Sequence, residues 1–207
     1  MSELTVFHTM RAKSFLTKSL LYVLFLRRKV FVGKNVEFSS LPNLIIDHES
    51  EIYFGASSIC RKMVEIRSLK ASVVRIGRGC RIDNLVRLLS TNQSNLTIGE
   101  GSRIGLGTIM NGGCNITIGR NVLISGFVYL QTSAHRTSKS KKIMEQGFDH
   151  APIVIEDDVW IGAHCIILPG VTLKKGSVIG ANSVVKKDTE EFSISAGSPA
   201  KLISLRK

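Results

Sequence analysis

An aliphatic residue returns at every sixth position through Ile155, Ile161, Ile167, Leu173, Ile179 and Val185. The residue four places after each, Val159, Cys165, Val171, Ser177, Ser183 and Thr189, is small. An α-helix repeats every 3.6 residues and a strand every two, so a six-residue period belongs to neither and marks a repeat architecture. Six residues supply one short strand and one turn. Three such units close a triangular coil whose aliphatic corners stack on the next coil and so build a continuous core. The small fifth position fits the lack of room inside a narrow prism.

The same period returns in three earlier blocks, Ile76, Ile82, Leu88; Ile98, Ile104, Met110; and Ile118, Ile124, Leu130. The block starts 76, 98, 118, 155 and 173 are 22, 20, 37 and 18 residues apart, which leaves excesses of 4, 2, 19 and 0 over an 18-residue coil. Only one loop is therefore large. It covers 131–152, carries Lys139, Lys141 and Lys142, and interrupts an otherwise regular stack, as functional insertions in repeat proteins do. Gly77, Gly99, Gly105, Gly119, Gly162 and Gly180 each follow an aliphatic corner, where close backbone approach or a positive φ is expected.

Four segments carry a resemblance to a known family: Asp158-Val159-Trp160-Ile161-Gly162, Leu168-Pro169-Gly170-Val171-Thr172, Ile179-Gly180-Ala181-Asn182-Ser183-Val184-Val185, and Ala196-Gly197-Ser198-Pro199-Ala200-Lys201. The chain resembles the hexapeptide-repeat acyltransferases, in the branch that acetylates sugars and small hydroxylated acceptors. The resemblance covers 153–203 and, more loosely, 74–135. It implies an all-β fold, a left-handed parallel β-helix over 31–203, preceded by a short helical, basic segment at 1–30 and followed by a basic tail at 204–207.

Composition agrees with one such domain, since an aromatic content of 6% suits corners filled by Ile, Val and Leu. Cys80, Cys114 and Cys165 fall on the small inward position and read as buried thiols rather than as a disulfide or metal site; no C-x-x-C spacing occurs. A net charge of +12 points to anionic company, a membrane lipid, an acidic polysaccharide or cofactor phosphates. No nucleic-acid module is visible. The run 15–26 is mostly apolar and flanked by Arg11, Lys13, Arg27, Arg28 and Lys29, but its unbroken apolar part, 20–26, is far shorter than the roughly 20 residues of a membrane span. No small-x-small cleavage site follows it, which argues against a signal peptide. Two readings stay open: a helix capping the first coil or packing on a neighbouring subunit, or an amphipathic segment, residues 11–29, resting on an anionic membrane.

Moving an acetyl group from a thioester to a hydroxyl needs a base for the hydroxyl proton and donors for the developing oxyanion. Of His8, His48, His135, His150 and His164, His135 follows Ala134 at an inward position and opens the large loop. It also matches the family's catalytic histidine, so it is the expected general base, and imidazole chemistry operates near neutrality. The resemblance further implies that the Ala163 N–H contacts the thioester carbonyl and that Trp160, Gly162 and Ala181 line the cofactor slot. Lys186, Lys187, Pro199, Lys201 and Arg206 then fall at the adenine and phosphate end of acetyl-CoA. Asn111 and His150 are the candidate acceptor ligands, although the acidic residue that family members acting on simple sugars carry near that asparagine is absent. The family's γ-type carbonic anhydrases bind zinc through histidines; no short histidine pairing occurs here, so no metal is expected.

These features predict an acetyl-CoA-dependent O-acetyltransferase acting on a surface polysaccharide or its lipid-linked precursor. The family implies a cytoplasmic homotrimer, peripheral on the membrane if residues 11–29 bind there. The alternatives are a non-catalytic β-helix scaffold or membrane-associated assembly protein, and an N-acetyltransferase acting on an amino sugar.

Overall fold

Strict alternation along each strand builds the fold. In the strand Glu51–Phe54, Ile52 and Phe54 are buried while Glu51 and Tyr53 face out, and the same in-out pattern recurs in strand after strand. In the computed structural model, which describes residues 29–207, these strands wind into a parallel β-helix of triangular section. Apart from Lys29, the segment proposed to cap the first coil or touch a membrane lies outside the described residues, as does nearly all of the expected helical segment 1–30. Among the described residues no helix is long and apolar enough to cross a membrane.

Face I holds seven strands from Val30–Val32 to Thr172–Leu173, face III seven from Asn43–Ile46 to Val184–Val185, and face II runs from Glu37–Phe38 to Ser193–Gly197. Phe54, Ile76, Ile98, Ile118, Ile155 and Leu173 stand directly above one another in register. With the inward residues of the other two faces they form one apolar column, in which each buried Ile or Leu contributes about 1.5–3 kcal/mol.

The excess residues of the lower coils do not form loops. They lengthen strands such as Arg87–Ser90 and Asn95–Ile98 to four residues and turn Ser90 and Ser94 inward, where Ser94 N–H donates to Ser72 Oγ (3.1 Å) and Ser90 Oγ to Ser94 O (2.9 Å). The 22-residue coil also runs below residue 76, with Val32, Phe38 and Leu44, then Phe54, Cys60 and Ile66, in the places of the aliphatic corners.

This lengthening corrects two inward assignments. Cys114 is only half-buried, because the strand Ile109–Gly112 places Gly112 inside and leaves Cys114 on the turn, its N–H held by Thr132 Oγ1 at 3.0 Å. Ala134 is exposed: the chain leaves the prism at Thr132, which is fully buried and donates to Asn111 O at 2.9 Å. Cys60, Cys80 and Cys165 are buried and free, and burial pushes the Cys60 thiol up to about 12.

All three edges turn through left-handed backbone: Met63, Leu85, Gly107, Phe127, His164 and Asn182 between faces II and III, Asn121 and Asp158 among those between faces I and II, and Lys70, Ala71, Asn92 and Gln93 among those between faces III and I. At the C-terminus, Ser193–Gly197 pairs antiparallel with Ala200–Leu205 across a cis Ser198–Pro199 bond. Residues 204 and 205 are thus part of this hairpin and not of a separate tail. A second antiparallel hairpin, Ser133–His135 with Phe148–His150, leaves the edge between faces III and I.

Candidate active site

The upper coils present two groups of expected site residues on two different edges of the prism. On the edge between faces II and III, Trp160 stands out from face II, 49% exposed, with its Nε1–H on Ser125 Oγ at 3.3 Å. Gly162 follows, buried, and its N–H is consumed by Ile179 O at 2.8 Å. A Cβ there would lie 2.5 Å from Ala181 N, so glycine is required for coil stacking and not for a positive φ.

Ala163 comes next. At the equivalent place two of the lower coils cap the backbone N–H with a side chain, Lys62 N–H with Asn84 Oδ1 at 2.9 Å and Asn84 N–H with Asp83 Oδ1 at 2.7 Å, whereas Leu106 and Gly126 in the two coils directly below Ala163 have no such cap among the described residues. At Ala163 and Ala181 the side chain ends at Cβ, and no acceptor for either N–H is found among the described residues. The two amides are open donors, one coil apart, on a rim lined by small side chains. Such donors stabilise negative charge developing on a carbonyl oxygen.

Beyond them, Lys186, Lys187, Pro199 and Lys201 are all exposed at the last coil and the C-terminal hairpin. Arg206 is already engaged: its guanidinium donates to Asp158 Oδ2 (3.0 Å) and Gly176 O (2.9 Å) and lies over the Phe192 ring.

The second group belongs to the hairpin at the edge between faces III and I. Ser133, His135, Phe148 and His150 share one face of it, since Ser133 pairs with His150 and His135 with Phe148. The His135 ring lies on Phe148, centroids 4.1 Å apart, and is otherwise open to solvent. Ser133 Oγ meets His150 Nδ1 at 2.8 Å. The intervening turn is held by Gln146, which bonds to Ser138 and Lys141, and by the Arg136–Asp149 ion pair at 2.7 Å.

Asn111 is one coil below, on face III. Its Nδ2 donates to Tyr129 Oη (2.9 Å) and Gln131 Oε1 (3.2 Å), while its Oδ1 is buried without a partner. Gln131 Nε2 in turn reaches Ser133 O at 2.6 Å, so Asn111 is tied to the root of the hairpin. The Tyr129 and Gln131 links went unread in the sequence; the signal was their register with Ile109 and Asn111 on neighbouring strands.

Face III separates the two groups, so one chain does not present His135 and Ala163 on the same edge. His164 is an exposed turn residue stacked on Phe127 at 5.1 Å. No cluster of three metal-type ligands occurs among the described residues.

A stacked β-helix with open amides on one rim and an imidazole on a protruding hairpin is the architecture of an acyl-transfer scaffold. Residues 152–187 match the family model for bacterial transferase hexapeptide repeats (six repeats). A Saccharomyces cerevisiae protein assigned as an acetyltransferase is 35% identical over 138 residues, 65% of this chain and 69% of its own. The chain belongs to the hexapeptide-repeat acetyltransferase family. Galactoside O-acetyltransferase of Escherichia coli is 36% identical over 110 residues, 53% of this chain and 54% of its own. This chain spans about half the length of several curated relatives it matches. The Bacillus cereus N-acyltransferase AntD, solved with dTDP-4-amino-4,6-dideoxyglucose and coenzyme A, shares the fold with a TM-score of 0.63 over 91% of this chain and 89% of its own, at 22% identity.

Proposed function

We propose that this chain is an acetyl-CoA-dependent O-acetyltransferase acting on a sugar hydroxyl, in a surface polysaccharide or its lipid-linked precursor. The observation that carries the reading is the open Ala163 N–H immediately after Trp160-Ile161-Gly162, with the open Ala181 N–H one coil on, along a rim of small side chains. In the reaction the acceptor oxygen attacks the thioester carbonyl carbon, its proton passes to an imidazole nitrogen of His135, and the Ala163 N–H holds the carbonyl oxygen as charge gathers there. The carbon–sulfur bond then breaks and the thiolate leaves. Small side chains at Ala163 and Ala181 leave room for the pantetheine arm along the rim, and Lys186, Lys187 and Lys201 meet the phosphates. Asn111 and His150, joined to the hairpin through Gln131 and Ser133, face the acceptor.

His135 and Ala163 stand on different edges, which supports a site shared by two subunits of a homotrimer, His135 from one and Ala163 from the next. The exposed ridge of Met63, Leu85, Leu106 and Phe127 is an apolar surface suited to that contact. The working compartment is then the cytoplasm, where acetyl-CoA is available. An amino-sugar acceptor is the second reading, suggested by the fold shared with AntD; an acetylated product that resists mild alkali would be an amide and would establish it.

Calorimetric titration of acetyl-CoA into the purified chain tests the donor. Saturable binding with one site per chain is expected, and its persistence in His135→Ala separates binding from chemistry. No binding at millimolar donor would overturn the transferase reading in favour of a scaffold.

A further inference from the structure

Three arginines among the described residues hold no carboxylate, and all three stand on one strip of face II. Arg81 and Arg103 are register neighbours pointing outward from adjacent strands, and Arg61 lies one coil below, opposite Asp83 in the turn that follows. Every other described arginine pairs with a carboxylate within 4.0 Å, as Arg120 does with Asp157 (3.0 Å) and Arg87 with Glu65 (3.0 Å). Adjacent strands lie about 4.8 Å apart, so Arg81 and Arg103 repel each other with nothing between them. The same strip contains a depression of about 400 Å³ lined by Ser39, Arg61, Lys62, Arg81, Asp83 and Asn84.

The column does not end at Arg103. Its outward residues continue in register through Leu123 to Trp160, which places Arg103 two coils and Arg81 three coils below the acyl-transfer rim, roughly 10 and 14 Å along the axis. The cofactor's phosphates are assigned to the opposite side of Trp160, at Lys186, Lys187 and Lys201. The strip therefore lies on the side from which an acceptor approaches.

We propose that the strip from Arg61 through Arg81 and Arg103 is a binding track for an acidic polysaccharide, which lies along face II with its carboxylates on the arginines while one of its hydroxyls reaches the rim beside Trp160. The proposal rests on the transferase reading and names its acceptor class. Guanidinium groups recognise carboxylates bidentately. Asp83, Asn84 and Ser39 interleave them with acceptors and donors suited to sugar hydroxyls, and the second oxygen of Asp83 has no partner among the described residues. This mixture of cations with a carboxylate, an amide and a hydroxyl fits a hydroxylated acid better than nucleic acid or a lipid surface.

The test is calorimetry of the full-length chain with hexagalacturonate as probe and maltohexaose as its neutral counterpart, in 50 and 300 mM NaCl. The expected result is saturable, salt-sensitive binding of the acidic sugar alone, weakened at least about tenfold in Arg81→Gln/Arg103→Gln, because two charge-assisted contacts are lost. The charge-matched variant Arg75→Gln/Arg78→Gln should bind as the parent does. Equal affinity in the Arg81/Arg103 variant, equal loss in the Arg75/Arg78 variant, or equal binding of maltohexaose overturns the track. So does tighter binding of a duplex oligonucleotide or of phosphatidylglycerol vesicles through the same two arginines. Thermal melts of both variants report folding. The measurement needs no donor, so a chain that bound hexagalacturonate but not acetyl-CoA would lose the transferase reading and keep the track, and the reverse outcome would do the opposite.

Discussion

Ser133 Oγ and His150 Nδ1 lie 2.8 Å apart across the hairpin that carries His135, and Gly113 of the coil below leaves the space they occupy. A Cβ on Gly113 would collide with Ser133 Oγ and come within 3.1 Å of His150 Nδ1. An exposed hydrogen bond of this kind contributes about 0.5–1.5 kcal/mol. Ser133→Ala should therefore accelerate tryptic cleavage at Lys139, Lys141 and Lys142 about fivefold, the ratio that ~1 kcal/mol of local opening produces. Gly113→Ala should do the same by displacing Ser133, whereas Gly147→Ala, with no atom near its Cβ, should not act through this pair. An unchanged cleavage rate in both Ser133→Ala and Gly113→Ala would show that the pair does not hold the hairpin.

Two glycine substitutions separate close approach from backbone conformation. At Gly162 an added Cβ meets only the backbone of the next coil, Ala181 N at 2.5 Å and Ile179 O at 2.9 Å, so the coils must part at a cost of about 1–3 kcal/mol. At Gly79 nothing lies within 4 Å and only the left-handed φ of 64° is penalised, at about 1–2 kcal/mol. Both variants should melt earlier, but only Gly162→Ala should also lose acetyl-CoA affinity, because it shifts the Ala163 and Ala181 amides. Equal donor affinity in the two variants would remove those amides from the cofactor slot.

Arg206 was expected at the cofactor phosphates, and its engagement with Asp158 and Gly176 O gives a sharper expectation. If its work is to fasten the C-terminal hairpin, Asp158→Asn and Arg206→Gln should lower the melting temperature by similar amounts. Each should weaken the donor only through the hairpin that carries Pro199 and Lys201. A loss of donor affinity in Arg206→Gln that Asp158→Asn does not reproduce would assign Arg206 to the phosphates.

Acid should loosen the stack from the carboxylates inward. The Arg120 backbone N–H at 2.7 Å, helped by its guanidinium, holds the Asp157 carboxyl below its ordinary value, and the Lys175 N–H at 2.8 Å does the same for Glu156. Arg67 and Arg87 lower Glu65. A depressed folded value means that the unfolded chain binds these protons more readily. The stabilisation is thus fully present above the unfolded values of 3.8 and 4.5 and is lost as pH falls through the lower folded ones. Melting temperature should be flat near neutrality and fall below about pH 4.5, and less steeply in Asp157→Asn. A fall of the same steepness in that variant would place the acid sensitivity elsewhere.

The regular coils from Ile153 onward were legible because their period is an unbroken six and every inward residue is aliphatic or small. The lower coils were harder: Phe54 and Cys60 replace aliphatic corners, and a 22-residue repeat hides four extra residues inside lengthened strands. That lengthening also misplaced Cys114 and Ala134, since a six-residue count runs past the point where the chain turns. Residue types at the candidate site were readable from motifs. The unpaired arginine strip was not, because it depends on carboxylates that the neighbouring coils fail to supply, and only register reveals that.

Register also decides how a complete site is assembled. His135 projects from the edge between faces III and I and Ala163 from the edge between faces II and III, so the homotrimer proposed above would draw the two from different chains at each site. A His135→Ala chain and an Ala163→Trp chain should each be inactive alone, the first for want of a base and the second because indole fills the thioester slot. Unfolded together in equal amounts and refolded, they form trimers at random. A site then works only when the neighbour giving His135 is the Ala163→Trp chain and the neighbour giving Ala163 is the His135→Ala chain. That combination arises at about one site in four, so the mixture should recover about a quarter of the parent's turnover. If both groups came from one chain, every site in the mixture would carry one defect, and no activity would return at any ratio.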